Sequence, residues 1–363
     1  MQSHDERAYR MKAKKLFSAL IGAGIMFSGL SGMDSIVVQD CPGYNSWSFV
    51  QTLGGRLVCI YSRGSAHMIG EPARGVYART SDDDGKTWSK ETVVCNLPDC
   101  GNVPVGKGLD QNGNMLLWVR NYPILRHELY GSADGIRFRR IAQPALDPMP
   151  IQITDIFHVP GVGLMSLWFA GHYREDSEHS WGTLVSRDNG RTWEQKTIES
   201  GLGLRDWPTE PSAVWLGEVK ILAIGRCEVT DPVSARAQFQ LESEDSGKTW
   251  KRFRTNITDV MKSTPSLILD PSGGTVSQYY YQRSAGLLKC RTVSADFIWH
   301  NPLGWPEPRV VAVGSKEAHH AGNVNAAAYG DRHCVTFYSG DPNHTAVLVK
   351  LIQKDQRNGK NYQ

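Results

Sequence analysis

The motif Ser-x-Asp-x-Gly-x-Thr-Trp occurs three times in this chain of 363 residues, and its spacing constrains the fold more than any other feature. The three copies begin at Ser81, Ser186 and Ser243. A degenerate copy begins at Ser132 and a weaker echo at Ser294, so the starts lie 51, 54, 57 and 51 residues apart. Repeats of roughly 50 residues are typical of propellers and solenoids. The spacing therefore predicts repeated four-stranded blades.

Each copy of the motif predicts a tight turn between two strands. An Asp and a Gly two residues apart favour such a turn, because the carboxylate accepts nearby backbone N–H groups. The Trp that follows is expected to pack between neighbouring blades. We interpret the Asp residues of the motif as structural and not catalytic, since turns of this kind specify a fold and not a site.

Composition excludes some classes of partner. The chain has 40 basic and 37 acidic residues, a formal charge of +3, and no basic block that would predict nucleic-acid binding. Seven cysteines are scattered without the spacing of metal ligands, and most are expected to be buried free thiols. Cys95 and Cys100 are close enough in the sequence for a disulfide that closes a small loop, and the sequence does not decide whether it forms. His319 and His320 are adjacent, but neighbouring residues of a strand point to opposite faces. No metal or cofactor is predicted.

The chain divides into three parts. Residues 1–34 hold a basic stretch before an apolar one, which fits either a helix that packs on the propeller or a signal-like segment. Residues 35–352 are predicted to form the propeller, and residues 353–363 a polar tail. The fold class predicted is all-β, a six-bladed β-propeller, with recurring apolar runs taken as its inner strands. The runs are Trp47 to Tyr61, Met115 to Arg120, Ile153 to Ala170, Ser212 to Gly225, Thr264 to Tyr281 and Val324 to Leu351.

A propeller joins its ends to avoid an exposed strand edge, so the last blade is expected to pair with Ser35 to Gln39. Residues at the start of each inner strand face the central mouth of such a ring. Polar residues there include Asp155, Glu210, Asn323 and Asn325.

Three arginines follow apolar strands at corresponding places, Arg63, Arg226 and Arg283. Guanidinium groups hold a carboxylate bidentately, so converging arginines favour an acidic ligand. Glu210-Pro211-Ser212 precedes Arg226 by sixteen residues. With the repeated motif, these features resemble the sialidase superfamily over roughly residues 41 to 350. That resemblance implies a six-bladed propeller with Asp boxes and an arginine triad, here Arg63, Arg226 and Arg283, that binds a sugar carboxylate.

One departure from that family concerns the nucleophile. Exosialidases use a tyrosine at the opening of the last inner strand, where this chain has Asn323 and Asn325. The chain is more similar to the bacteriophage endosialidases, which lack that tyrosine. The resemblance implies endo-acting hydrolysis of polysialic acid, an extracellular or virion-associated location, and a homotrimer if the chain is a relative of phage tailspikes.

Without the tyrosine, Glu210 is expected to act as general base or to stabilise an oxocarbenium-like transition state. The general acid is left open among Glu71, His67 and Asp155. Trp207, Tyr281, Asn323 and Asn325 are expected to contact the sugar.

Two other functions fit the same residues. One is a propeller without catalytic activity that binds acidic glycans for host attachment. The other is a lyase that eliminates across a uronic acid, with His and Tyr near the arginines as base and acid. In each case the predicted partner is an acidic polysaccharide or a sialylated glycan.

Overall fold

The structure is a computed structural model that describes residues 35–229, 231–260, 262–270, 274–317 and 319–354. The predictions for residues 1–34 and for the tail from residue 355 lie outside these residues. The described chain is almost entirely β, with a single turn of α-helix, α1 (Ala295–Ile298), and two 3-10 turns, Leu204–Asp206 and Val233–Arg236. Within the described ranges, none of the helices has both the length and the apolar character needed to cross a membrane.

Most strands are grouped in antiparallel sheets in the order of the chain. Three sheets have four strands and one has five. The first contains β6 (Gly101–Leu109), β7 (Met115–Tyr122), β8 (Arg126–Ser132) and β9 (Arg139–Ala142). The second contains β10 (Gln152–Ile153), β11 (Phe157–Val159), β12 (Gly163–Ala170), β13 (His179–Ser186) and β14 (Glu194–Leu202). The third contains β15 (Thr209–Gly217), β16 (Lys220–Arg226), β17 (Phe239–Ser243) and β18 (Lys251–Arg254). The fourth contains β19 (Ser266–Leu269), β20 (Thr275–Gln282), β21 (Leu287–Ser294) and β22 (Arg309–Val313).

The remaining eight strands form one sheet. It contains β1 (Ile36–Gln39), β2 (Gly43–Leu53), β3 (Arg56–Gly64), β4 (Gly75–Ser81), β5 (Thr92–Cys95), β23 (Ala321–Tyr329), β24 (Arg332–Gly340) and β25 (His344–Gln353). Within each half of this sheet the strands are antiparallel, and the two halves join where Gly43 and Tyr44 pair in parallel with His344 and Thr345.

The sheets have the arrangement of a β-propeller, but hydrogen bonding separates four blades and not the six that the sequence predicts. The reason is the parallel pairing of β2 with β25, which merges the first and last repeats into one sheet. The predicted pairing of the chain ends is confirmed, because Ile36 pairs with Val349 and Val37 with Leu348 in antiparallel register.

The apolar run Met115 to Arg120 is the second strand of its sheet, not the innermost one. The innermost strand is β6, which precedes it and was not recognised in the sequence. Second strands are mostly buried because they pack against neighbouring sheets on both faces. In β12, for example, all eight residues are buried.

The repeated motif forms the predicted turn between the last two strands of a sheet. Asp188 accepts hydrogen bonds from the backbone N–H of Thr192 at 2.8 Å and from its hydroxyl at 2.6 Å. Trp193, which follows, contacts Trp118 of the preceding sheet at 5.1 Å between ring centroids. The echo at Ser294 differs, because Ser294 caps α1 by accepting a hydrogen bond from the backbone N–H of Phe297.

The first strands of neighbouring sheets are joined by side chains that accept backbone N–H groups. Ser212 accepts from Leu267 at 2.9 Å, and Ser266 accepts from Ala326 at 3.0 Å. Polar residues at the openings of these strands therefore stabilise the ring as well as face its mouth.

All seven cysteines are free, and six of them are buried, as expected from the sequence. Cys95 and Cys100 do not form a disulfide.

Candidate active site

A pocket opens where the first strands of the sheets begin. Each repeat contributes at least one residue to its wall, among them Trp47, Pro104, Thr154, Glu210, Thr264 and Asn323. The predicted site residues Glu210, Asp155, Asn323 and Asn325 all line this pocket.

Three of the wall residues have left-handed backbone. Trp47, Glu210 and Asn323 have φ angles of 47°, 46° and 45°, a region that side chains other than glycine rarely adopt. Each lies at a shift in the strand register, between Ser46 and Phe49 in β2 and at the matching places in β15 and β23. Bulges of this kind redirect side chains, and backbone strain of this kind is concentrated at functional sites.

Glu210 is held by two partners. Its Oε2 accepts hydrogen bonds from Nη1 of Arg226 at 2.7 Å and from the hydroxyl of Thr264 at 2.7 Å. The side chain is 9% exposed. A carboxylate with two donors on one oxygen keeps its other oxygen for a water or a sugar hydroxyl.

Arg226 is fully engaged by carboxylates. Opposite Glu210, Glu228 accepts from Nη2 at 2.9 Å and has its other oxygen 2.9 Å from Nε. Although burial alone would lower it, these two glutamates raise the pKa of Arg226. The structure thus makes Arg226 a positioning residue for Glu210, whereas the sequence predicted that it clamps the carboxylate of the sugar.

Arg283 is 9% exposed and donates from Nε to the carbonyl of Ala321 at 2.9 Å. Its charge acts on the phenols of Tyr44 and Tyr338. Among the described residues, we find no carboxylate paired with Arg283. It is therefore free to attract an anion, and its role in binding the sugar carboxylate stays a prediction.

Arg63 does not line the pocket. Its guanidinium lies 3.0 Å from a carboxylate oxygen of Glu91 and stacks over the ring of Tyr77 at 4.6 Å. None of the three predicted arginines lines the pocket, although Arg226 contacts Glu210 in its wall. Within the described residues, only Arg283 of the three has no carboxylate partner.

Asp155 and Asn325 connect strands across the mouth. Asp155 accepts from the backbone N–H of Lys107 at 3.0 Å and from Nδ2 of Asn325 at 2.9 Å, and it lies 3.6 Å from Nζ of Lys107. Asn325 also accepts from the N–H of Val50 at 3.3 Å. These contacts make Asp155 an acceptor, not the proton donor that the sequence left open, and Asn325 a structural residue.

His67 belongs to a cluster around Tyr44. The Tyr44 hydroxyl donates to the carbonyl of His319 at 2.8 Å and lies 3.0 Å from Nδ1 of His67 and 3.1 Å from Nδ1 of His320. A phenol has one hydrogen, which Tyr44 donates to the carbonyl, so both Nδ1 atoms donate to the phenol oxygen and Nε2 of a neutral His67 keeps a lone pair. His67 stacks against Trp47, which lines the pocket, at 5.1 Å.

The pKa of His67 is lowered to about 4, first because its ring is largely buried and then because Arg283, His319, His320 and Arg74 are near. His67 is therefore a neutral base and not an acid at neutral pH. His319 and His320 precede β23 in a turn, and the ring centroids of both lie within 6.3 Å of that of His67. They do not point to opposite faces, because residue 319 has a φ of 68° and is not in a strand.

Glu71 shapes the loop after β3. It accepts from the backbone N–H of Ser65 at 2.6 Å and pairs with Arg74 at 3.3 Å. Partial burial alone would raise its pKa, but Ser65 and Arg74 lower it. A carboxyl with a lowered pKa is ionised at neutral pH, so Glu71 does not fit the predicted role of general acid.

Trp207 and Tyr281 are core residues. Neither has exposed surface. Trp207 packs on His179 at 4.3 Å, and Tyr281 stacks on Phe337 at 5.8 Å. The prediction that they contact a sugar is wrong, because both rings point into the space between sheets.

Two pocket residues were missed in the sequence, Arg120 and Tyr173. Arg120 ends an apolar segment of β7, which is the signal that identified the other arginines. Tyr173 lies in the loop after β12, half exposed, with its ring 5.5 Å from that of Trp207. The removal of its hydroxyl from water raises its pKa, and the charges of Glu210, Arg226 and Arg120 also act on it.

Among the residues with described positions, no group of three or more His, Cys, Asp or Glu side chains could hold a metal ion.

No protein-family model and no curated protein sequence matches this chain. Solved structures do. A protein of unknown function from Dyadobacter fermentans superposes with a TM-score of 0.70 at 16% identity, over 88% of this chain and 98% of that one. The endosialidase of phage phi92 gives 0.64 at 11% identity, over 92% and 71%. Trypanosoma rangeli sialidase in complex with sialic acid gives 0.60 at 11% identity, over 87% of this chain and 57% of that one. The chain therefore spans little more than half of the trypanosomal sialidase, and what it shares with these proteins is the propeller fold of sialidases and endosialidases.

Proposed function

We propose that the chain is a glycoside hydrolase that cleaves glycans of sialic acid or a related acidic keto sugar, with endo action on polysialic acid. The observation that carries this proposal is Glu210, which is strained at the mouth of a sialidase-like propeller and held by Arg226 and Thr264. In this proposal the propeller counts six blades, with the eight-stranded sheet divided at its parallel joint, and its repeated turns are Asp boxes.

In the proposed mechanism Glu210 acts on the attacking water or on the charge that develops in the sugar. Its free oxygen takes a proton from a water that attacks the anomeric carbon, or stabilises the positive charge that develops there. Tyr173 is the pocket residue with a phenolic O–H, and in this mechanism it donates to the leaving oxygen. Direct attack by water inverts the configuration at the anomeric carbon.

The test is incubation with α2,8-linked polysialic acid, with chain length followed by chromatography. Wild type is expected to release oligomers. Glu210→Gln keeps oxygen acceptors for Arg226 and Thr264 but no base, so we expect at least about a 100-fold lower rate. Glu194→Gln is the matched control, because Glu194 forms an exposed ion pair with Arg187. Intact polymer that is nevertheless bound by wild type would contradict hydrolysis and support the propeller that only binds acidic glycans.

A second candidate, a lyase acting on a uronic acid, is favoured by the neutral His67. Its Nε2 lone pair would take the proton beside the carboxylate. The bond to the leaving oxygen would then break, a double bond would form in the sugar ring, and the leaving oxygen would take a proton from water. An unsaturated product that absorbs in the near ultraviolet, formed from a polyuronate and lost in His67→Ala, would establish this activity and replace hydrolysis.

An extracellular or virion-associated location and a homotrimer stay predictions from the resemblance. Light scattering of the purified chain tests the oligomeric state.

A further inference from the structure

Arg120 is a cation in the pocket whose charge no described neighbour balances. It lines the wall together with Gln152 and Tyr173. Its Nε is buried and has no hydrogen-bond partner. Within the part of the chain that the structure describes, no carboxylate forms an ion pair with Arg120.

The corresponding arginine of another blade shows why this is unusual. Arg226 pairs across its strands with Thr209, and the next residue, Glu210, supplies a carboxylate. Arg120 pairs across its strands with Val103, and the next residue is Pro104. A register shift follows in both first strands, after Thr209 in β15 and one residue later, after Pro104, in β6. Pro104 therefore occupies, in the blade of Arg120, the position that Glu210 occupies in the blade of Arg226.

The other neighbours of Arg120 do not supply a negative charge. Removal from water lowers its pKa, and the phenols of Tyr173 and Tyr122 are the groups that act against this. His127 lies opposite Arg120 in β8, is 1% exposed, and has a pKa lowered to about 3 by burial, so it is neutral. An arginine largely removed from water without a counter-ion is costly, and such a cost is offset when a ligand brings the opposite charge.

We propose that Arg120 binds the carboxylate of the acidic sugar, and that Tyr173 lies between this carboxylate and Glu210. The proposal rests on the proposed function only for the identity of the sugar. In a keto-acid sugar the carboxylate is attached to the anomeric carbon, so the group that binds it and the group that acts on that carbon must share one pocket. Arg120 and Glu210 do.

The experiment measures binding without cleavage. Free N-acetylneuraminic acid, its methyl ester and glucuronic acid are titrated by ligand-observed NMR into wild type, Arg120→Gln, Arg120→Lys and Arg63→Gln. Wild type is expected to bind an acid at least about 10-fold more tightly than the methyl ester, because the ester has no charged carboxylate to accept hydrogen bonds from Arg120. Arg120→Gln should lose this preference and Arg120→Lys should retain part of it, since lysine keeps the charge but not the bidentate geometry. Arg63→Gln should match wild type, because Arg63 is already paired with Glu91.

Thermal unfolding distinguishes a binding role from a structural one. Removing an unbalanced charge should leave the Tm of Arg120→Gln unchanged or raise it, whereas a structural arginine would lower it. The proposal is overturned if Arg120→Gln binds the acids as wild type does, if Arg63→Gln loses affinity equally, or if wild type binds neither acid. If the protein binds carboxylates through Arg120 but leaves polysialic acid intact, the proposed hydrolysis is contradicted and the present inference is supported.

Discussion

At the scale of the residue, the pocket is defined by which charges are balanced. Arg226 has two glutamates and Lys107 has Asp155, so neither is available to a ligand. The charges of Arg120 and Arg283 remain available to a ligand. Within the described residues neither of these two cations pairs with a carboxylate, and this favours an anionic ligand over a neutral one.

His127 makes the stability of the protein depend on pH. Its pKa in the folded state is about 3, against about 6.5 in the unfolded state, because it is buried and near Arg120. The unfolded state therefore binds a proton first as the pH falls, and the stability is lost from pH 6.5 downwards. For this one residue, each pH unit below 6.5 costs up to about 1.4 kcal/mol.

Urea unfolding at pH 7 and pH 5 checks this dependence. His127→Phe removes the group that titrates and should shrink the difference between the two pH values. His158→Gln, at an exposed histidine, should leave the difference as it is in wild type. An unchanged difference in His127→Phe would show that other groups cause the acid sensitivity.

Residue type and position in a strand identified part of the site. Glu210 and Asn323 were found because polar residues at strand openings face the mouth. Arg120 carries the same signal as Arg283 but was missed, because its strand was taken as the innermost one. Trp207 and Tyr281 were misassigned because an aromatic ring near the mouth can face either sugar or core, and only the packing of neighbouring sheets decides.

At the scale of the element, the repeated turn is where the sequence is most informative. Ser, Asp, Gly and Thr interact locally, so the hydrogen bonds of the turn depend on residues at most four apart. A first strand such as β6 depends instead on its neighbours across the ring. Gly106 and Gly108 of β6 are packed against β10 and the loop after it, where a Cβ on Gly106 would lie 2.3 Å from the carbonyl oxygen of Thr154. That distant constraint is why β6 was not recognised.

The turn at Asp188 should contribute measurable stability. Asp188→Ala removes the acceptor for Ser186 and for both Thr192 groups, and we expect the free energy of unfolding to fall by about 1–2 kcal/mol. Arg187→Ala, in the same turn, removes only an exposed ion pair with Glu194 and should cost about 0.5 kcal/mol or less. Urea midpoints of the two variants decide, and equal losses would contradict a structural role for the motif.

At the scale of the whole molecule, the first and last strands that the structure describes meet at two contacts. β1 pairs with β25, and β25 pairs in parallel with the start of β2. The sequence predicted the first contact because a propeller cannot leave a strand edge exposed. It gave no sign of the second, since the register of two strands 300 residues apart depends on how all the intervening blades close the ring. The blade count differs for this reason.

Thr345 is the centre of the parallel contact. Its hydroxyl accepts from the backbone N–H of Asn45 at 2.8 Å and donates to the carbonyl of Asn45 at 2.6 Å, and Asn45 Nδ2 donates to the carbonyl of Thr345 at 2.7 Å. Thr345→Val keeps the shape but leaves both buried backbone groups of Asn45 without this partner. We expect a loss of about 1–3 kcal/mol in the free energy of unfolding.

Hydrogen exchange locates that loss. If the contact holds the ring closed, amides of β1 and of the start of β2 should exchange faster in Thr345→Val, while those of β12, far from the joint, should change less. Thr197→Val, at an exposed position of β14, is the matched control and should alter neither region. Exchange that rises equally in all sheets would mean that the propeller opens as one unit. The parallel joint would then add to the overall stability, but the ring would not open there first.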